Sequence, residues 1–157
     1  MQGDAIPHDW SSDGRFVVGS MPTVEGRDIL IFPVEDPASW YALVQNGHDN
    51  YHPTFSPDGN WVVYMSVESG DPAIYLRSFD PDGGTWPVST GFGIQPRFND
   101  DGTMIIWVGE DGMEAVSVNY TDRGPEISKD RKLLTKLRRQ IWQRCEQKQC
   151  SRGNFSN

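Results

Sequence analysis

His52-Pro53-Thr54-Phe55-Ser56-Pro57-Asp58-Gly59-Asn60-Trp61-Val62-Val63-Tyr64 is the stretch whose reading decides the fold. It reads as a short strand, a Ser-Pro-Asp-Gly turn and a second strand, because Pro57 presets φ for a turn and Gly59 supplies the positive φ that follows. The phrase stands twice more. Upstream it runs from Pro7 to Val18 (Pro-His-Asp-Trp-Ser-Ser-Asp-Gly-Arg-Phe-Val-Val), and downstream from Gln95 to Trp107 (Gln-Pro-Arg-Phe-Asn-Asp-Asp-Gly-Thr-Met-Ile-Ile-Trp). The Asp-Gly pairs begin at Asp13, Asp58 and Asp101, 45 and 43 residues apart, and the aromatics three residues ahead of them, Trp10, Phe55 and Phe98, keep the same spacing. A period in the 40s with strand patterning inside each unit signals one supersecondary unit per repeat.

Each unit reads as four strands separated by polar turns rich in Gly and Pro. The expected strands are Asp9 to Ser11, Phe16 to Ser20, Asp28 to Val34 and Tyr41 to Gln45 in the first unit. In the second they are Pro53 to Ser56, Trp61 to Ser66, Ala73 to Phe79 and Thr85 to Ser89. In the third they are Pro96 to Asn99, Thr103 to Val108, Met113 to Asn119 and a weak Lys132 to Thr135. The second strand of every unit is nearly continuous in apolar residues (Phe16-Val-Val, Trp61-Val-Val-Tyr-Met, Met104-Ile-Ile-Trp-Val), which suits a strand covered on both faces. Four-stranded antiparallel sheets of about 40 to 50 residues, stacked radially, make a β-propeller. The expected fold class is therefore all-β, with three blades over residues 7–49, 50–93 and 94–135 in a unit spanning 1–135, and a basic tail over 136–157.

Several phrases carry a family resemblance. Ser56-Pro-Asp-Gly-Asn-Trp-Val-Val-Tyr, Glu68-Ser-Gly, Ile74-Tyr-Leu-Arg-Ser-Phe, Thr85-Trp-Pro-Val-Ser-Thr-Gly and Gln95-Pro-Arg-Phe-Asn-Asp-Asp-Gly resemble TolB-like (WD-repeat-like) propeller repeats. They are most similar to those at the C-terminal end of large bacterial sensor or kinase-linked proteins. The resemblance spans residues 7–135 and is specific over 50–118. It implies a propeller that is not itself catalytic and serves as a protein-interaction platform, or as a sensor or accessory domain.

Three blades raise a physical problem, since propellers close with about 4 to 8. The outer flanks of the first and third blades would expose more contiguous apolar surface than a monomer tolerates. Either the chain is a fragment of a longer propeller, or copies assemble. The simplest assembly is a homodimer of three plus three blades about a two-fold axis, with blade one of each copy meeting blade three of the other.

Composition narrows the partners. Residues 1–128 carry five basic and twenty acidic side chains, a net of −15, whereas 129–157 carry nine and two, a net of +7, giving −8 overall. The acidic body repels nucleic acid and anionic membrane. No run of about 18 or more apolar residues offers a membrane span. The first twenty residues lack a basic start and an apolar core, so a cytoplasmic location is expected, or a periplasmic one if the chain is a fragment of a larger secreted protein. Cys145 and Cys150, the only cysteines, lie outside the repeats and make a weak zinc signal without a second pair or a nearby His. Leu133, Leu134, Leu137, Ile141 and Cys145 space as the apolar face of an amphipathic helix over Lys129 to Gln149, with disordered sequence from Ser151 onward.

No catalytic, metal or cofactor site is expected. Asp80-Pro-Asp-Gly83 and Asn99-Asp-Asp-Gly102 echo the start of calcium loops but lack the later oxygen ligands and the late Glu, so these Asp residues are read as turn caps. Ser11, Ser56, Ser66, Ser69 and Ser89 stand in no Gly-x-Ser-x-Gly elbow. His8 and His52 are offset by one position in the repeat and form no recurrent site. Because the first strand of each unit lines the central channel, the candidate ligand-binding residues are Asp9, Thr54 and Arg97, beside the aromatics expected to be buried, with His52 and Gln95 near the mouth.

Overall fold

The computed structural model describes residues 4–136. The remainder of the expected tail helix, both cysteines and the Ser151–Asn157 segment lie outside the described residues. Strands β1 (Ile6–Trp10), β2 (Phe16–Pro22), β3 (Arg27–Pro33) and β4 (Tyr41–Val44) form one antiparallel sheet in chain order. The second sheet is β5 (Asn50–Phe55), β6 (Trp61–Ser66), β7 (Ala73–Ser78) and β8 (Thr85–Pro87), again in chain order. The third holds β9 (Gly93–Phe98), β10 (Met104–Gly109) and β11 (Gly112–Thr121), and its fourth position is shared by β12 (Gly124–Ile127) and β13 (Lys132–Lys136). At ten residues, β11 is long enough to pair with two partners in turn: Val118–Thr121 with β12, and Gly112–Ala115 with β13. Three four-stranded sheets were expected; β12 was not, because Gly-Pro-Glu-Ile is short, polar and interrupted by proline. The tail helix expected to start at Lys129 is corrected over its first turns: Lys132–Lys136 is a strand, held by backbone bonds to β11.

The repeated turn folds nearly identically three times. Gly14, Gly59 and Gly102 all take φ of +73 or +74°, which an L side chain resists. The preceding carboxylates accept bonds from their own turns: Asp13 from the Ser11 hydroxyl and the Arg15 N–H, Asp58 from the Ser56 hydroxyl and the Asn60 N–H, and Asp101 from the hydroxyl and N–H of Thr103. The turn-capping role is thus what these groups do. The Ser11 hydroxyl holds the Asp13 carboxyl down to about 2, helped by Arg15. Thr103 lowers Asp101, and at Asp58 the bonds from Ser56 and Asn60 outweigh an opposing effect of burial. A carboxyl with a lowered folded pKa stabilises fully above its unfolded value near 3.8 and loses that contribution as pH falls through the folded value. Thermal melts should therefore show stability dropping below about pH 4. The triple variant Asp13→Asn, Asp58→Asn, Asp101→Asn should show a flatter decline over the same range.

Packing follows the alternation of β6. Val62 and Tyr64 join Val18, Ile29, Ile31, Leu43 and Phe55 between blades one and two, whereas Val63 and Met65 join Ile105, Trp107, Val116 and Val118 between blades two and three. The continuous apolar run is covered on both faces, as its composition required. Asn50, fully buried in the link between blades one and two, donates its amide to the carbonyls of Arg27 at 2.8 Å and His48 at 3.0 Å and to Asn46 Oδ1 at 2.9 Å. Asn50→Ala strands these acceptors and should cost about 1–3 kcal/mol in denaturant unfolding.

Candidate functional site

β1, β5 and β9 lie side by side as the innermost strand of each blade. Each carries one extra residue relative to the strand it pairs with: between Pro7 and Asp9, between Tyr51 and Thr54, and between Ile94 and Arg97. Such bulges re-aim side chains and recur beside functional sites. At the second and third bulges His52 and Gln95, 43 residues apart, both adopt φ of +53°, at a cost of about 1–2 kcal/mol each for residues with a Cβ. These two members of the expected site are thus held in the same strained backbone conformation, one per blade.

The other three expected residues, Asp9, Thr54 and Arg97, occupy one repeat position and do different work. Asp9 accepts bonds from its neighbour's N–H at Trp10 and, across the blade junction, from the Phe55 N–H, both at 2.8 Å. Thr54 donates to the Pro96 carbonyl at 3.3 Å, crossing the next junction. Among the described residues Arg97 meets no further blade; it is exposed, and its guanidinium donates within its own strand, to Pro96 O at 3.0 Å. Asp9, Thr54 and Arg97 all line an open groove of about 400 Å³ that also takes in His8 and Asp100.

The aromatics beside them need a correction. Phe55 is buried against blade one and Phe98 packs against blade two, but Trp10 is 57% exposed, because no sheet among the described residues covers that face of blade one. The histidines meet without recurring. Although His8 and His52 are offset in the repeat, adjacent inner strands bring their rings edge to face with centroids 6.0 Å apart. His8 Nε2 lies 2.9 Å from the Ser20 hydroxyl, which Arg27 Nη1 approaches to 3.4 Å, while the Arg27 guanidinium stacks over Tyr51 at 5.0 Å. Sequence reasoning missed Arg27, which comes from β3 and has no repeated counterpart. Burial foremost lowers the pKa of both imidazoles; His52, Arg27 and Arg97 lower His8 further, and Arg97 lowers His52 further.

Three radially ordered, four-stranded antiparallel sheets joined face to face through two apolar seams are consecutive blades of a β-propeller. The fold is similar to solved propellers of the TolB kind. It matches the putative TolB from Agrobacterium tumefaciens with a TM-score of 0.65 at 19% identity, covering 79% of this chain and 48% of that one. It matches TolB from Acinetobacter baumannii at 0.61 and 18%, covering 79% and 32%. The β-propeller domain of Myceliophteria thermophila Cps50 (Swd1) aligns at 0.53 and 8%, covering 80% and 56%. The chain thus spans about half or less of the two TolB chains. No family model matches the sequence, and no curated protein does. Among the described residues, no helix is long and apolar enough to cross a membrane.

Proposed function

We propose that this chain is a non-enzymatic scaffold for protein association, and that two copies pair through their open flanks into a six-bladed ring. The observation that carries the reading is the fate of repeat-equivalent residues. Val18 and Val63 occupy the same position in blades one and two, and each is buried against the blade that follows; Ile106, the third member, is only half-buried. Val62 and Ile105 are each buried against the blade before, whereas Val17, their counterpart in blade one, is half-buried. The large apolar side chains left exposed among the described residues are Ile6, Trp10, Val24, Val34, Trp40, Met113, Leu133 and Leu134, all in blades one and three and none in blade two.

The blade-one flank carries an apolar groove of about 370 Å³ lined by Pro7, Trp10, Val17, Phe32 and Val34. Charge is complementary at the outer rims. Glu35 and Asp36 stand in the loop that follows β3, and Lys132 opens β13, so in the paired arrangement an acidic rim of blade one would meet a basic rim of blade three. The non-enzymatic part rests on the serines: the Ser20 hydroxyl, which meets His8, is fully buried, and those of Ser66, Ser69 and Ser89 serve the backbone. Ser89 Oγ accepts from the Ile74 N–H and donates to Gly91 O, Ser66 accepts from the Glu68 N–H, and Ser69 donates to Asp71 O.

A second reading, in which the flanks are covered by further blades of a longer accessory or sensor protein, is favoured by the chain's partial coverage of the TolB chains. Directed cross-linking separates the two. One chain would carry Val17→Cys and another Ile106→Cys, both in a Cys145→Ser, Cys150→Ser background. Pairing predicts a mixed disulfide between the two chains on mild oxidation; its absence, with each chain folded, overturns the pairing.

A further inference from the structure

We propose that the inner mouth formed by His8, Arg27, His52 and Arg97 binds a small oxyanion, the phosphate or carboxylate group of a soluble metabolite. All four groups come from one chain, so the site does not depend on pairing. Residues 1–128 hold only five basic side chains against twenty acidic ones, yet two of those five and two of the chain's three histidines meet here: the His8 and His52 rings lie 6.0 Å apart, His8 and Arg27 share the Ser20 hydroxyl, and Arg97 lines the same groove as His8. Neither arginine has an acidic partner. Among the described residues the ion pairs are Arg15 with Asp13 and Arg131 with Glu114. Two carboxylates lie nearby: Asp9 has both oxygens engaged by backbone N–H groups, and Asp100 lines the same groove as His8 and Arg97 without forming an ion pair with Arg97.

Donors are left over as well. The Arg27 Nε and His52 Nδ1 atoms are buried with no hydrogen-bond partner, and Arg97 spends its guanidinium on one carbonyl of its own strand. Gathering like charges and leaving buried donors unpaired both cost free energy. An oxyanion removes both costs at once, since guanidinium forks match the spacing of carboxylate and phosphate oxygens. The backbone strain at His52 supports the same conclusion, as such strain is held where a side chain must be aimed.

Protonation gives the site a signature. His8 faces His52, Arg27 and Arg97, and His52 faces Arg97; burial and these cations hold both imidazoles below their ordinary value. A bound anion reverses the sign of the field they feel, so binding takes up protons and tightens as pH falls from 8 to 6.

The test uses the full chain in low-salt buffer, titrated with inorganic phosphate while the imidazole C2–H resonances and the melting temperature are followed, with chloride at matched ionic strength as control. Phosphate should shift the His8 and His52 resonances, raise their titration midpoints and raise the melting temperature, and sulfate, whose charge is constant over this range, should do so more at pH 6 than at pH 8. A parallel titration with malonate separates the two sources: tighter phosphate binding assigns a phosphoryl group, and tighter malonate binding a carboxylate. Arg97→Gln, at an exposed position, should weaken binding by about tenfold, the scale of one charge-assisted hydrogen bond, whereas Arg15→Gln should leave it unchanged. No response beyond that of chloride, or equal binding by wild type and Arg97→Gln, would overturn the site.

Discussion

Ile106→Asp should leave the three blades folded and convert a paired species into single chains, whereas Val63→Asp, the same repeat position one blade earlier, should unfold the protein. The two side chains differ in one respect that matters here. Val63 is fully buried in the seam between blades two and three, and Ile106, 43 residues on, stands half-buried on the outer face of blade three. An aspartate at 63 must enter an apolar seam with no partner. That costs several kcal/mol, a large part of the 5–15 kcal/mol that holds a domain together. At 106 the charge meets water in the lone chain and an apolar surface only when a second copy docks. Far-ultraviolet circular dichroism reports folding and analytical ultracentrifugation reports association. The pairing account fails if Ile106→Asp unfolds the chain as Val63→Asp does, or if it leaves the association state unchanged.

Trp107→Ala should cost about 3–5 kcal/mol, the largest effect expected of any single truncation in the described residues. The indole is 1% exposed and fills the seam among Ile74, Ile105 and Val116, so its removal leaves a cavity that rigid sheets on either side cannot close. Gly93 shows how tight the site is: a Cβ there would lie 2.7 Å from Ile74 Cγ1 and 3.0 Å from Trp107 Cδ1. Trp10→Ala, which removes the same indole from an open flank, should cost far less in the isolated chain and register mainly as weaker association. Urea unfolding of both variants at equal concentration measures the contrast.

The repeat was legible because its phrase is chemical as well as periodic. Asp13, Asp58 and Asp101 each make the bonds that an Asp-Gly turn implies, and the strand expected at Trp61 to Ser66 has those bounds in the structure. Inner strands were less legible. They start at Ile6, Asn50 and Gly93, before the prolines at which the sequence pattern begins, because a bulge in each separates the visible phrase from the first residues of the strand. Of the expected site, Asp9 and Thr54 prove to stitch neighbouring blades together, while His52, Gln95 and Arg97 keep a free polar aspect. Arg27 escaped notice, and His8 is set aside in the sequence as non-recurrent, for a geometric reason. A site built across adjacent strands joins residues that are not equivalent in the repeat, so a search for recurrence passes over them.

What the repeats leave bare on either side of a three-blade stack decides the account. Sedimentation equilibrium of the full chain over a hundredfold range of concentration reads it most directly. A mass near twice the 17.7 kDa of one chain, persisting to low concentration, is the result expected. A well-behaved species of 17.7 kDa across the whole range would contradict it.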